Sequence, residues 1–307
     1  MLLIGENIHV ISKKIRNALK DKDAELIKDL AIKQQNAGVH YIDLNIGPAK
    51  KTPGTMVWLI DTLSGIVNVP LSLDTTNATE MEEGLKKLND TSNIILNSTS
   101  GDPERLELMM NLAGKYNTKI IGLTMNNISG IPKDPEGRLE IAMEIIEYAN
   151  EKGVENGNIF LDPLVLPISV AQDQALESLN SIRVFKESFD PPVMTTVGLS
   201  NISNGSPKEN RGLINRIFLV LAMGCGLDSA IVDAFDEELK HFVKTIETNT
   251  ATTEKDQLIL NLYNMMANFE ELEDVTYNKE DIEQVNIYKT AQILLNKNIY
   301  AHNYLNI

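Results

Sequence analysis

Eight short apolar runs, separated by amphipathic stretches with helical spacing, constrain the fold of this chain more than any other feature. Apolar runs that alternate with helices are typical of a parallel sheet covered on both faces. The strand candidates are Leu2–Gly5, Val39–Asn45, Val69–Asp74, Asn93–Asn97, Lys119–Met125, Asn158–Asp162, Val193–Leu199 and Ser229–Asp233. Eight such units in roughly 240 residues predict a closed (β/α)8 barrel, or TIM barrel. An open doubly wound sheet is the structural alternative, but neither nucleotide-binding fingerprint follows any strand candidate.

The helical stretches between these runs carry start and stop signals. Asn77, followed three residues later by Glu80, has the spacing of a capping box at a helix N-terminus. The segment Asp102–Glu104 predicts another helix start, with an acidic N-cap and proline at the first helical position. Gly38 is predicted to end the helix before the second strand, because glycine readily adopts the left-handed conformation found there.

Composition and charge exclude several classes of protein. The chain has 307 residues, of which 43% are hydrophobic and 23% charged, which is ordinary for a globular protein. Its formal net charge of −15 argues against nucleic acid and anionic membrane surfaces as partners, because an acidic surface repels both. The single cysteine, Cys225, excludes a disulfide framework and a thiolate metal cluster. With no signal-peptide pattern and no apolar run near the roughly 20 residues of a membrane span, the sequence predicts a soluble, cytoplasmic protein.

Polar residues follow most of the strand candidates, at the rim where a barrel builds its active site. Carboxylates and amides dominate this set, which comprises Asp43, Asn45, Asp74, Asn77, Asn97, Asn126, Asp162, Ser200, Asn201 and Asp233. Each of them alone could also be a turn or helix-capping residue. Most of these strand ends lack a lysine or arginine, and the four histidines show no metal-ligand spacing. The set predicts a site for a neutral, planar heterocycle with hydrogen-bond donors and acceptors, and no bound metal.

Seven segments of the chain resemble one known family. They are YIDLNIGPA (41–49), LSLDTTN (71–77), ILNSTS (95–100), IGLTMNNISGIPKD (121–134), FLDPLVLPISVAQD (160–173), VGLSNIS (197–203) and NRGLINRIFLVLAMGCGLDSAIVDA (210–234). The family is the methyltetrahydrofolate:corrinoid-protein methyltransferases, pterin-binding barrels related to the folate domain of cobalamin-dependent methionine synthase and more distantly to dihydropteroate synthase. The resemblance covers residues 1–239 and resumes over 290–305. It implies a homodimer that acts on tetrahydrofolate or methyltetrahydrofolate, with a corrinoid (cobalamin) carried by a partner protein.

The resemblance also implies which residues contact the pterin ring. These contacts fall on Asp74, Asn97 and Asp162, with Asp162 on the amino-pyrimidine edge. Asp74 and Asn97 would satisfy the remaining donors and acceptors of the ring. Asp43 and Asn45 match the family's rim motif, and we expect them to border the same site.

A second group of residues is implied for the methyl-transfer chemistry. The family's key amide falls on Asn201, beside N5 of the folate, with Gly198 and Ser200 in the same loop and Arg211 near the pterin or the folate tail. The methyl group sits on a tertiary amine that is a poor leaving group, so a hydrogen bond from Asn201 to N5 would stabilise its departure. The segment SNGSPKENR after Asn201 departs from the family pattern. Longer variants of the family, found in demethylating systems, hand methyl groups to tetrahydrofolate, which favours that direction.

Two other functions remain as alternatives. A dihydropteroate synthase-like pterin enzyme would need cations for its pyrophosphate substrate, whereas the eighth strand candidate ends in IVDAFDEE. A non-catalytic folate-binding protein would not need Asn201.

Residues 240–289 form a helical insertion within what we expect to be one domain spanning 1–307. An apolar stripe at helical spacing runs along it, consisting of Leu258, Leu262, Met265, Met266, Phe269 and Leu272. One interpretation is a helical hairpin packed on the barrel flank. The other is that the insertion extends a dimer interface or docks the corrinoid protein.

Overall fold

The computed structural model describes residues 1–49 and 52–306 and contains an eight-stranded parallel sheet rolled into a nearly closed barrel. The strands are β1 Leu2–His9, β2 Tyr41–Asn45, β3 Leu71–Asp74, β4 Ile95–Ser100, β5 Lys119–Leu123, β6 Ile159–Asp162, β7 Met194–Thr195 and β8 Ser229–Val232. Their hydrogen-bonded order is β7-β6-β5-β4-β3-β2-β1-β8. Between β7 and β8 the Ile231 N–H donates to the Val197 carbonyl at 2.9 Å. The predicted (β/α)8 barrel is confirmed, and each strand lies within or overlaps its candidate run.

Helices cover the outside of the barrel. They are α1 Lys13–Asp21, α2 Ala24–Asn36, α3 Thr55–Leu63, α4 Ala78–Leu85, α5 Pro103–Tyr116, α6 Pro135–Glu151, α7 Ile168–Ala171, α8 Asp173–Ser188, α9 Lys208–Gly224, α10 Glu237–Thr248, α11 Glu254–Ala267 and α12 Ile282–Leu294. Gly38 follows α2 with φ 88°, as predicted for a glycine that ends a helix. No helix in the described ranges is long and apolar enough to cross a membrane.

The capping box predicted at the start of α4 is only half formed. The Asn77 carboxamide oxygen accepts from the backbone N–H groups of Thr79 and Glu80, as expected for an N-cap. The buried Glu80 carboxylate instead accepts from the N–H groups of Gly54 and Met56, at 2.5 and 3.1 Å. The Glu80 carboxylate therefore binds the free N–H groups at the start of α3, a neighbouring helix in space.

Asp102 at the start of α5 also bonds differently from the prediction. It occupies the N-cap position before Pro103, but its carboxylate makes no capping hydrogen bond to its own helix. One carboxylate oxygen accepts from the Ser100 hydroxyl and the other from the Asn127 backbone N–H, both at 2.7 Å. Asp102 therefore joins the loop after β4 to the loop after β5, at the rim of the barrel.

The seventh strand is shorter than its candidate run Val193–Leu199. The Thr195 N–H donates to a carboxylate oxygen of Asp228 at 2.7 Å. Strand geometry ends at Thr195, and residues Leu199–Asn201 form a 3₁₀ turn. The apolar side chains of Val197 and Leu199 are nevertheless buried, which is why the run resembles a strand in sequence. The early end of β7 places the following loop at the barrel mouth.

The barrel interior is a packed layer of side chains. Ile4, Tyr41, Ile95, Ile121 and Phe160, from five different strands, form one buried cluster. A filled interior of this kind is the rule for eight-stranded barrels. Open space for a ligand therefore lies above this layer, at the carboxyl ends of the strands.

The helices of the insertion pack on the barrel flank. α11 lies against α9 and α10, and α12 lies against α8 and α9. Most of the apolar stripe is buried in the core that these helices share; these buried residues are Leu258, Leu262, Met265, Met266 and Leu272. Phe269 is the exception, since it is 69% exposed and its ring lies 4.3 Å from the guanidinium carbon of Arg183. The predicted boundaries at 240 and 289 fall inside α10 and α12, so they do not coincide with helix ends.

Because the chain's own helices cover the stripe apart from Phe269, the stripe is not a free surface for a partner. That the insertion belongs to one domain spanning 1–307 stays a prediction, and so does a role for it in dimer formation or in docking.

Candidate functional site

Three neighbouring strand ends bring four of the predicted residues together. The sheet register aligns Asn45 with Asp74 and Asp74 with Asn97. The Asn45 amide donates to the Asp74 carboxylate. The Asn97 amide donates to the buried carboxylate of Asp43 at 3.1 Å, and the Ser72 hydroxyl donates to the same oxygen at 2.6 Å. The carboxylates and amides at the ends of β2, β3 and β4 therefore form two adjacent hydrogen-bonded groups, one around Asp74 and one around Asp43.

A cleft of about 910 Å³ opens at these groups. Asp74 and Asn97 lie in its wall, together with the apolar side chains of Leu108, Leu123 and Met125. Hydrogen-bonding groups on one side and apolar groups on another are typical of sites that bind a flat heterocycle by its edge and its faces.

Arg105 also lines this cleft, although the sequence analysis did not identify it. Its guanidinium donates to the backbone carbonyls of Thr75, Thr76 and Ser98, at distances of 2.6 to 3.2 Å. These bonds hold the loops after β3 and β4 together beside Asp74, to which Arg105 is electrostatically attracted. The residue lies in the first turn of α5, so a search confined to the strand ends could not find it.

Asp162 at the end of β6 lies outside the wall of this cleft and forms a second part of the site. Its carboxylate is buried and accepts from the Leu164 N–H at 2.8 Å. Burial raises the pKa of Asp162 to about 7, against the opposing effects of the Leu164 hydrogen bond, the Arg138 charge and the Gly198 backbone. Asp162 is therefore a carboxyl group that changes charge near neutral pH.

The loop after β7 brings Gly198, Ser200 and Asn201 to the same mouth. A Cβ placed on Gly198 would lie 2.9 Å from the Asn201 amide nitrogen, so the two residues are in close contact. Asn201 is exposed and ends the 3₁₀ turn. Pro207 stands at the N-cap of the next helix, α9, so Asn201 is not that helix's capping residue.

Glu6 connects the two parts of the site and was also missed by the sequence analysis. It accepts a hydrogen bond from the Ser200 hydroxyl. Burial raises the pKa of Glu6 to about 7, and the charges of Asp233 and Asp43 act in the same direction, while the Ser200 bond opposes them. The first strand was predicted to end at Gly5, but it continues to His9 with a register shift that includes Glu6. The sequence does carry a signal for Glu6, because this acidic residue directly follows the apolar run LLIG (2–5).

Two further carboxyl groups of the site are removed from water. Asp43 on β2 is buried, and Asp74 on β3 is partly buried. Burial raises the pKa of both Asp43 and Asp74, and the negative charge of Asp43 adds to the effect on Asp74. Within residues 1–49 and 52–306, no group of three or more His, Cys, Asp or Glu side chains has the arrangement of a metal site.

Several residues of the predicted set have other surroundings. Arg211 is exposed, and its guanidinium donates to the Ser206 carbonyl at 2.8 Å. Asn126 orders its own loop, because its carboxamide oxygen accepts from the N–H groups of Ile128 and Ser129. Asp233 accepts from the Asn7 amide at 2.8 Å. Contact of Arg211 with a folate remains a prediction.

Comparison with known families agrees with this geometry. The model of the family described as pterin binding enzyme matches residues 11–233. The chain belongs to the pterin-binding enzymes. As a pterin-binding enzyme, it carries its buried carboxylates and amides at the same strand ends where the sequence predicted a heterocycle site.

Relatives of this pterin-binding enzyme include methyltransferases. It is 29% identical over 242 residues to the methylcorrinoid:tetrahydrofolate methyltransferase of Eubacterium limosum. This alignment covers 78% of this chain and 87% of that protein. It is 31% identical over 244 residues to the methionine synthase of Mycobacterium tuberculosis, covering 76% of this chain but 20% of that longer protein. The family resemblance expected from the sequence motifs is confirmed.

Solved structures of similar fold include dihydropteroate synthases. The enzyme from Clostridium difficile, in the presence of pteroic acid, superimposes with a TM-score of 0.60 at 20% identity, covering 81% of this chain and 96% of that one. The enzyme from Yersinia pestis gives a TM-score of 0.59 at 16% identity, covering 81% and 92%. At these identities the similarity supports the fold alone.

Proposed function

We propose that this pterin-binding enzyme transfers a methyl group between N5 of tetrahydrofolate and the cobalt of a corrinoid carried by a partner protein. The name of the Eubacterium limosum relative states a transfer from methylcorrinoid to tetrahydrofolate, and we propose that direction here. The main support is the set of hydrogen-bonding groups on four strands, with Asp74 and Asn97 in the wall of the cleft. A homodimer in the cytoplasm is part of the same proposal.

Three residues are proposed to bind the pterin ring. The amino-pyrimidine edge presents two parallel N–H donors, which one carboxylate can accept together. Asp162 is assigned to that edge because its carboxylate is buried at a strand end and the Leu164 N–H holds it in one orientation. Asp74 and Asn97 supply an acceptor and an amide in the cleft wall.

Asn201 is proposed to act on N5. Breaking the bond from the methyl carbon to N5 leaves the electron pair on nitrogen, which needs a hydrogen bond or a proton in the transition state. The Asn201 amide can donate such a bond but does not ionise. Its exposed position beside Gly198 leaves the amide accessible to a ligand at the mouth.

A dihydropteroate synthase activity is less well supported by the charges of the site. A pyrophosphate group needs cationic side chains around it. β1 and the residue after β8 instead carry Glu6 and Asp233, which repel each other. These negative charges favour a reaction in which no pyrophosphate group is bound beside Glu6 and Asp233.

Titration calorimetry with tetrahydrofolate tests the pterin site through its pH dependence. We expect binding to need the ionised form of Asp162, whose pKa is raised to about 7 in the free protein. The association constant should therefore be level above about pH 8 and fall about tenfold for each pH unit below about pH 7. The Asp162→Asn variant should bind at least about 100-fold more weakly, because its amide cannot accept both donors of the ring.

The matched control for this titration is Asp134→Asn, which changes a carboxylate that caps α6 rather than one of the proposed site. It should bind tetrahydrofolate like the wild type. Equal affinity of the wild type and Asp162→Asn would remove Asp162 from the pterin site. A wild-type protein that does not bind tetrahydrofolate would contradict the proposed function itself.

Substituting Gly198 by alanine should reduce methyl transfer without unfolding the protein. The added Cβ would lie 2.9 Å from the Asn201 amide nitrogen, so this short side chain must move. The backbone of Gly198, at φ −79°, accepts alanine without strain. We expect the rate to fall about tenfold, as is typical for a small displacement of a catalytic group. The control is Gly157→Ala, where a Cβ meets nothing within 4 Å; similar rates for both variants would contradict a close role of Asn201.

A further inference from the structure

Methyl transfer at N5 requires a proton that Asn201 cannot supply. When the methyl group leaves, N5 gains a proton, and when tetrahydrofolate accepts a methyl group, N5 loses one. An amide has no usable acid–base equilibrium near neutral pH. A group in the same mouth that changes its protonation state would complete the chemistry.

Glu6 has the position of such a group. Its carboxylate accepts from the hydroxyl of Ser200, the residue next to Asn201 in the 3₁₀ turn. It lies between the two parts of the site, since it interacts electrostatically with Asp43 on β2 as well as with Asp233 after β8. The side chain is partly buried, so it is neither freely exposed nor sealed in the core.

We propose that Glu6 is the acid–base group that exchanges the reaction's proton with N5, held beside Asn201 by the Ser200 hydroxyl. This inference rests on the proposed function. In transfer from methyltetrahydrofolate, the carbon–nitrogen bond breaks, its electron pair stays on N5, and the Glu6 carboxyl gives its proton to N5 and becomes a carboxylate. The methyl group forms a bond with the electron pair of cobalt(I) of the corrinoid substrate. In the opposite direction the Glu6 carboxylate takes the proton from N5.

The charges around Glu6 suit this role. Asp43 on β2 and Asp233 after β8 face it with negative charges, and Ser200 faces it with a hydroxyl donor. Burial and the two neighbouring charges raise its pKa to about 7, so both protonation states are populated in neutral solution. A group that donates a proton in one direction of the reaction and accepts it in the other works best when its pKa is close to the pH of the solution.

The experiment follows the pre-steady-state rate of methyl transfer from methyltetrahydrofolate to cob(I)alamin between about pH 5.5 and pH 8.5, with methyltetrahydrofolate kept saturating at every pH. The wild-type rate should fall as the pH rises through about 7, because the proton-donating form of Glu6 is lost. Glu6→Gln should be slower by about 10²- to 10³-fold at neutral pH and should lose this pH dependence. Calorimetry should show that Glu6→Gln binds methyltetrahydrofolate within about threefold of the wild type.

Asp233→Asn serves as a matched variant at the same rim. Removing its negative charge lowers the pKa of Glu6, so the fall in rate should move to lower pH while the maximum rate is kept. A Glu6→Gln variant that keeps both the rate and the pH profile of the wild type would overturn the inference alone. Loss of methyltetrahydrofolate binding in Glu6→Gln would overturn it in favour of a binding role. A wild-type protein without methyl transfer would overturn the proposed function, and this inference with it.

Discussion

Replacing Asn201 by alanine is expected to slow methyl transfer from methyltetrahydrofolate by about 10²- to 10³-fold while tetrahydrofolate still binds. A donor aimed at the nitrogen that gains charge contributes more in the transition state than in the ground state, so its loss lowers the rate more than the affinity. The measurement is single-turnover transfer to cob(I)alamin at saturating methyltetrahydrofolate, with calorimetry of tetrahydrofolate binding on the same variant.

Asn204→Ala is the matched control for Asn201→Ala. Asn204 is an exposed asparagine three residues further along the same loop, and its backbone carbonyl, rather than its side chain, accepts from Ser169. Its variant should transfer methyl groups at the wild-type rate. If Asn201→Ala were as fast as Asn204→Ala, the amide would have no part in the chemistry and the proposed mechanism would be wrong.

Substituting Asp256 by alanine is expected to lower the free energy of unfolding by about 2–3 kcal/mol, because it removes one acceptor that several partly buried donors share. The Asp256 carboxylate is fully buried and accepts from the Thr252 N–H and hydroxyl and from the Thr253 N–H, at 2.7 to 3.1 Å. It also bonds the imidazole of His241 on α10 at 2.7 Å. The side chain therefore caps α11 and ties that helix to α10, the helix that follows β8.

The same residue predicts a pH dependence of stability. Burial alone would raise the pKa of Asp256, but hydrogen bonds from Thr252 and His241 and the His241 charge outweigh it and hold the pKa well below its usual range. A carboxyl with a lowered folded-state pKa stabilises the protein above its unfolded-state pKa of about 4. That stabilisation is lost as the pH falls below this value. The wild type should thus lose more stability between about pH 5 and pH 3 than Asp256→Ala does.

Urea denaturation followed by circular dichroism measures both effects. Thr253→Ala is the comparison variant, because it removes the N-cap hydroxyl but leaves the carboxylate, and it should lower stability by about 1 kcal/mol. An Asp256→Ala protein as stable as Thr253→Ala would show that the Asp256 carboxylate adds nothing to the attachment of α11.

The fold could be predicted well because its signals are local. A buried parallel strand must be apolar along its length, and each helix between strands must have one apolar face, so eight alternations appear directly in the residue order. The pattern failed at β7, where Val197 and Leu199 are apolar because they are buried in the core, not because they form a strand. It also could not place the ends of the insertion, since 240 and 289 lie within continuous helices.

The strand-end residues were predictable for a related reason. Parallel strands end at one rim, so carboxylates and amides that follow them must meet near one mouth. The register of β2, β3 and β4 joins Asn45, Asp74 and Asn97 as this argument requires. Arg105 was not predictable in this way, because its guanidinium reaches the rim from the first turn of a helix.

The sequence by itself determined the barrel, the family and the types of residue at its mouth, because these depend on periodicity and on short motifs along the chain. The tertiary structure alone decided which of those residues share a hydrogen bond and which carboxyl groups lose their contact with water. Glu80 bonds to a different helix, and Glu6 meets Ser200 across 194 positions of the chain. Pairing and burial are properties of the folded chain, since they depend on distances between segments that no local pattern records.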